Sequence, residues 1–159
     1  MDSRAKILAQ DKLLERLSTH RRRGQRIVLA SGCFDLLRAC DIRHLEGARR
    51  EGDVLVIGVH SEVSEQALTG DGRPILPTQG RAELVAALAA VDYVVIFDEP
   101  SVDALLAAIR PDVYAKVADE TGPERNRAAE LGVRIAIVGG PQRHSTRDLL
   151  ARLRKPFHG

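Results

Sequence analysis

At 159 residues, with 44% hydrophobic and 29% charged side chains, the chain has the composition of one globular domain large enough to bury a real core. Its 24 basic and 22 acidic residues nearly cancel to a formal +2, so charge does not point to nucleic acid, and the 3% aromatic content leaves few platforms for stacking single-stranded bases. The opening MDSRAKILAQDKLLERL is too charged for a signal peptide and no apolar run reaches membrane length, so a cytoplasmic protein without membrane partners is expected. Cys33 and Cys40 stand seven apart, without Cys-x-x-Cys or Cys/His metal spacing, and no metal ligand set is expected.

In chain order, Ile7, Leu13, Leu14 and Leu17 predict a leading helix over 3–23. His20-Arg21-Arg22-Arg23 ends it before Gly24, either as favourable charge at a helix C-terminus or as a phosphate contact. Ile27, Val28, Leu29 and Ala30 predict a buried strand, broken at Gly32, and a helix follows over 41–51 with Ile42, Leu45 and Ala48 inward and Asp41 as its N-cap. The run over 53–60 is a second continuous apolar strand, of the kind buried on both faces of a parallel sheet. A Gly/Pro loop over 69–77 precedes a helix over 81–90, a strand over 93–97 and a helix over 101–110, capped by Ser101, with Asp103 in its first turn and Pro111 stopping it. A fourth strand over 112–116, a short helix starting near Pro123, a fifth strand over 133–138 and a last helix from Ser145 or Thr146 to Leu153 complete the pattern. The expected domain is single: a leading helix over 1–24, an α/β core over 25–154 and a tail over 155–159. Strands alternating with helices predict a doubly wound parallel sheet with right-handed crossovers.

The stretch over 26–44, RIVLASGCFDLLRACDIRH, is a strand feeding a helix near the start of the chain. Such a junction holds phosphates well, because a helix N-terminus presents unpaired N–H groups and partial positive charge. Gly32-Cys33-Phe34-Asp35-Leu36-Leu37, followed by four residues and an amphipathic helix, resembles the first motif of the bacterial cytidylyltransferase-like nucleotidyltransferases. It is most similar to the heptose-1-phosphate adenylyltransferases, and next to glycerol-3-phosphate cytidylyltransferases. The resemblance extends through Ser61-Glu62, through Gly72-Arg73-Pro74 with Arg81, through Lys116 and Asp119, and to Ser145-Thr146 at the last helix.

That resemblance implies a Rossmann-like α/β domain with five parallel strands in order 3-2-1-4-5, a ligand at the carboxyl ends near strands one and four, and a homodimer, as many members are. It implies a reaction in which an acceptor phosphate oxygen attacks the α-phosphorus of ATP, carried with Mg2+, and pyrophosphate leaves. The candidate acceptor is a sugar 1-phosphate such as a heptose 1-phosphate. Catalytic candidates are Arg38, Asp41, His44 and Lys116; nucleotide- and phosphate-binding candidates are Gly32, Cys33, Phe34, Asp35, Arg73, Arg81, Asp119, Ser145 and Thr146.

The family carries H-x-G-H after its F-D-L-L, with both histidines on the triphosphate and the glycine beneath the base. Here the four residues are Arg38-Ala39-Cys40-Asp41. Arg38 keeps a cation at the first histidine, Cys40 fills the glycine position, and Asp41 puts a carboxylate where a phosphate belongs. A family lysine is Thr69, and the two glycines after strand four are Val117 and Ala118. Two functions follow as expectations: an adenylyltransferase with an altered motif, or a catalytically inactive relative that binds a nucleotide or sugar phosphate as a regulatory or partner subunit. A structural subunit without a ligand is a third.

Overall fold

The computed structural model describes residues 2–69, 72–117, 124–140 and 146–154, without the side chains of 146 and 147. The described elements run α1 (Gln10–Arg22), β1 (Ile27–Gly32), α2 (Ala39–Arg49), β2 (Val54–His60), α3 (Glu62–Thr69), α4 (Thr78–Ala86), β3 (Tyr93–Phe97), α5 (Asp103–Ile109), β4 (Val113–Lys116), α6 (Glu124–Glu130), β5 (Arg134–Ile137) and α7 (Thr146–Leu153). The strands form one parallel sheet in the order β3-β2-β1-β4-β5, the doubly wound topology expected from the sequence.

The apolar runs of β1 and β2 explain why the sheet is covered twice. Strand residues alternate faces, so Ile27 and Leu29 enter one core with Leu13 and Leu17 of α1 and Leu105, Leu106 and Ile109 of α5. Val28 and Ala30 enter the other, with Leu45 and Ala48 of α2 and Ala82, Val85 and Ala86 of α4. At the amino ends an aspartate precedes each of β2, β3 and β4 and accepts a neighbouring strand's N–H. Asp53 takes Arg26 at 2.7 Å, Asp92 takes Leu55 at 2.8 Å and Asp112 takes Ile27 at 2.7 Å. These charge-assisted bonds tie the amino ends of the strands together; in sheets of this topology ligands bind at the opposite, carboxyl end.

Several expectations need correction. The leading segment is not one helix: a 3-10 turn over Ser3–Lys6 precedes an extended break. There Ile7 bridges Val94, and the Leu8 N–H donates to the Val94 carbonyl at 2.9 Å, so this stretch covers the edge of β3 before α1 begins. Asp41 is not the N-cap of α2. That helix starts two residues earlier, with Arg38 in the cap position, and Asp41 reaches back to the Arg38 backbone N–H at 2.8 Å. The α5 cap position falls on Val102, one residue beyond Ser101, though the Ser101 hydroxyl still accepts the Asp103 N–H at 3.2 Å. Helix α3 has no counterpart in the sequence reading, for a reason that bears on the site.

Candidate functional site

β1 ends at Ser31-Gly32-Cys33, and these residues line two cavities. The first, about 150 Å³, lies toward α2 and is walled by the turn after β1, by Arg38, Asp41 and His44 of the α2 start, by Arg73 and by Val117. The second, about 340 Å³, lies toward the α5 and α6 side and is walled by His60, Glu65, Leu68, Pro100–Val102, Tyr114 and Glu124. The turn between β1 and α2 is tight: Phe34 and Leu36 take left-handed φ values of 53° and 66°. Non-glycine residues hold such angles only where the surroundings over-determine them. A Cβ on Gly32 would stand 3.1 Å from the Phe34 ring, so glycine is what lets that ring fold back over the end of β1.

Asp35, almost fully buried, holds this turn to the next loop. It accepts from Arg73 Nε at 3.1 Å and from the backbone N–H groups of Ile75 and Leu76 at 2.9 and 3.0 Å. Arg81 is wholly buried and spends its guanidinium on protein: the carbonyls of Leu76, Cys33 and His60 at 3.0, 2.7 and 2.7 Å, and the Thr78 hydroxyl at 3.2 Å. It ties the ends of β1 and β2 together and lines neither cavity.

The α2 start is closed on itself. Arg38 donates to Asp41 through Nε at 3.1 Å and through a terminal nitrogen at 3.0 Å, and both side chains are largely buried. Burial works against the Arg38 charge, but the Asp41 hydrogen bond and charge outweigh it, so the guanidinium is held more firmly protonated than usual. One turn on, His44 is buried, and burial pushes its pKa below the ordinary histidine value despite a hydrogen bond to the Val138 backbone and the nearby Asp41. Its Nδ1 has no partner among the described residues, leaving a buried acceptor on the wall of the first cavity. Lys116, 3% exposed, is bound to Glu124. That pairing, working against burial, keeps the Glu124 carboxyl below its ordinary pKa.

Three cations of this region are thus each held by a carboxylate: Arg38 by Asp41, Arg73 by Asp35, Lys116 by Glu124. Of the candidates from the sequence, the structure gathers Gly32, Cys33, Phe34, Asp35, Arg38, Asp41, His44 and Arg73 around the first cavity. It sets Arg81 and Lys116 apart from it. Asp119 and Ser145 lie outside the described residues, and Thr146 opens α7. Among the described residues no group of three or more His, Cys, Asp or Glu is gathered to hold a metal ion, and no helix is long and apolar enough to cross a membrane.

Sequence reasoning missed the second cavity's His60 and Glu65. Burial lifts the Cys33 thiol to about 12, helped by the Glu65 charge, to which the thiol is hydrogen-bonded. Burial and Arg81 lower His60 to about 4, so its ring is neutral at neutral pH. No pattern in the sequence could have found them: α3 buries its polar Ser64 and Glu65 while Val63 and Leu68 are 69% and 55% exposed, the reverse of an ordinary amphipathic helix.

A parallel sheet of this order, with a phosphate-sized cavity beside the switch between β1 and β4, defines a nucleotide-binding α/β architecture. The chain belongs to the cytidylyltransferase-like family, whose model matches residues 29–144. It is 41% identical over 151 residues to the bifunctional protein HldE of Methylobacillus flagellatus, covering 93% of this chain and 31% of that protein. It is 37% identical over 150 residues to the HldE of Helicobacter pylori, covering 94% and 32%. The chain thus spans about a third of the length of these relatives. Two solved structures share the fold. One is a lipopolysaccharide core biosynthesis protein from Thermoplasma volcanium, with TM-score 0.62 and 24% identity over 77% of this chain and all of that one. The other is pantothenate synthetase from Thermus thermophilus, with TM-score 0.59 and 14% identity over 87% and 63%.

Proposed function

We propose that this chain binds a nucleoside triphosphate, ATP by resemblance, and a sugar phosphate at the carboxyl ends of its strands, with the adenylyl-transfer step suppressed. In this reading it is a binding or partner subunit of adenylyltransferase kind. Magnesium enters on the triphosphate oxygens as part of the substrate. The observation that carries the proposal is the closed Arg38–Asp41 pair, at 3.0 Å, where the family's motif supplies two uncommitted imidazoles. Transfer needs donors aimed at charge developing on the phosphates; each one lost costs about 10²–10³ in rate, roughly 2.7–4 kcal/mol. Here the arginine is neutralised by its neighbour and the second position is a carboxylate. The first cavity remains able to hold a phosphate group through the Arg38 and Arg73 edges and the backbone of the turn.

An active adenylyltransferase, joining ATP to a sugar 1-phosphate with release of pyrophosphate, is the second reading. The 41% identity to HldE over nearly the whole chain favours it, as does the unpartnered His44 Nδ1 on the cavity wall. Calorimetric titration with magnesium ATP and magnesium CTP, followed by a pyrophosphate-release assay with a manno-heptose 1-phosphate, separates the two. Binding of one nucleotide with release no faster than background supports suppression. Turnover of about 1 s⁻¹ or faster, within the ordinary range for enzymes, selects the second reading.

A further inference from the structure

The second cavity is built from a different chemistry, and its protonation states can be read from the hydrogen bonds. The Ser64 hydroxyl donates its one hydrogen to the Glu99 carbonyl at 2.6 Å. The contact of 2.6 Å between Ser64 Oγ and His60 Nδ1 must then run from the ring N–H to the hydroxyl oxygen, which leaves His60 Nε2 as a bare acceptor. Glu65 is 5% exposed and, among the described residues, forms no ion pair; the Cys33 thiol is its hydrogen-bonding neighbour. Every other buried carboxylate of the described residues is paired with an arginine or lies in the first cavity's network. A carboxylate sunk in a cavity wall without an ion-pair partner is costly to keep, and α3 exposes two apolar side chains to put it there.

We infer that the second cavity takes the uncharged, hydroxyl-bearing part of the sugar phosphate, with Glu65 and His60 as the residues that read its hydroxyls. This rests on the sugar-phosphate reading above and deepens it. An acceptor-rich wall requires a donor-rich ligand, and a sugar ring supplies several O–H donors. The same wall repels an anion, so the phosphate belongs at the Arg38–Arg73 side of Ser31-Gly32-Cys33, and acceptors bearing a carboxylate in addition to the phosphate are excluded. Cys33 orients Glu65, and its thiol, held protonated, supplies a hydrogen bond without competing charge.

The test is calorimetric titration of the full chain with inorganic phosphate, ATP, a panel of neutral aldose 1-phosphates (glucose, galactose, mannose and a manno-heptose) and glucuronic acid 1-phosphate. At least one neutral sugar phosphate is expected to bind about tenfold tighter than inorganic phosphate, and glucuronic acid 1-phosphate about tenfold weaker than the best neutral sugar. Glu65→Gln should erase most of both differences while leaving inorganic phosphate and ATP unchanged. The wild-type comparison stands even where that variant does not fold. The inference is overturned if no neutral sugar phosphate outbinds inorganic phosphate, if the uronic acid binds as well as the neutral sugars, or if folded Glu65→Gln keeps the preference. Binding of ATP together with any of the sugar phosphates in that case leaves the proposed function intact; absence of binding by every probe overturns both.

Discussion

The two cavities on either side of the β1 end handle charge in opposite ways. Toward α2, each cation has a carboxylate partner and the wall is electrically balanced. Toward α5 and α6, the Glu65 carboxylate forms no ion pair among the described residues and stands on the same wall as a neutral imidazole. A wall of paired charges is stable without ligand and offers a phosphate only the donor edges its ion pairs leave; a wall of unpaired acceptors costs stability until donors arrive. In the proposed reading the Arg38–Asp41 pair is what suppresses nucleotidyl transfer, while Glu65, outside any ion pair among the described residues, is left to meet a second ligand.

The largest effect is expected at Arg81, which ties Cys33, on the wall both cavities share, to His60 of the second. Arg81→Met leaves those buried carbonyls unpaired and should cost about 3–5 kcal/mol in urea unfolding; a loss below about 1 kcal/mol would show that the guanidinium does not join the two regions. Next is the balanced wall itself. Arg38→His, Cys40→Gly and Asp41→His made together should raise pyrophosphate release with magnesium ATP and a sugar 1-phosphate by about 10²-fold or more. No gain in a folded variant that still binds ATP would mean the pairing is not what suppresses transfer. Gly139→Ala should cost about 1–3 kcal/mol, because a Cβ there meets the His44 Cα at 2.6 Å and the residue sits at φ +88°. Thermal unfolding measures this, and an unchanged Tm would show that α2 can move away from the strand end.

The smallest effect is the pH dependence of the second wall. His60 stays neutral in the folded chain down to about pH 4, whereas in the unfolded chain it takes a proton near the ordinary 6.5. Between those values the unfolded state binds more protons, so stability is complete above pH 6.5 and falls as pH drops toward 4. Because part of the ring meets solvent, the contribution is about 1–2 kcal/mol. Melting curves at about pH 7 and about pH 5 should show a steeper loss for the wild type than for His60→Asn; equal losses would remove His60 from the account.

Much of the fold was legible because it follows from local pattern. The continuous apolar runs of β1 and β2 announce strands buried on both faces, and β3 spans Tyr93–Phe97 as expected. The leading helix was misread because Ile7 fits a helical stripe equally well, and its pairing with Val94 is a long-range event that periodicity does not encode. Helix α3 was invisible because its apolar residues point outward and its buried positions are the polar Ser64 and Glu65, which a hydrophobic period does not mark. In the site, the replaced motif was readable residue by residue, and the carboxylate at Asp41 stood out. That Asp41 grips Arg38, and that Arg81 is spent on carbonyls, depends on side-chain geometry fixed by the turn between β1 and α2.

The most direct test of the central claim pairs two readings on one sample: nucleotide binding by calorimetry and pyrophosphate release with a manno-heptose 1-phosphate as acceptor. Selective binding of magnesium ATP together with release at background is the expected result. Release at about 1 s⁻¹ or faster would contradict it and show that the paired Arg38 and Asp41 open during turnover.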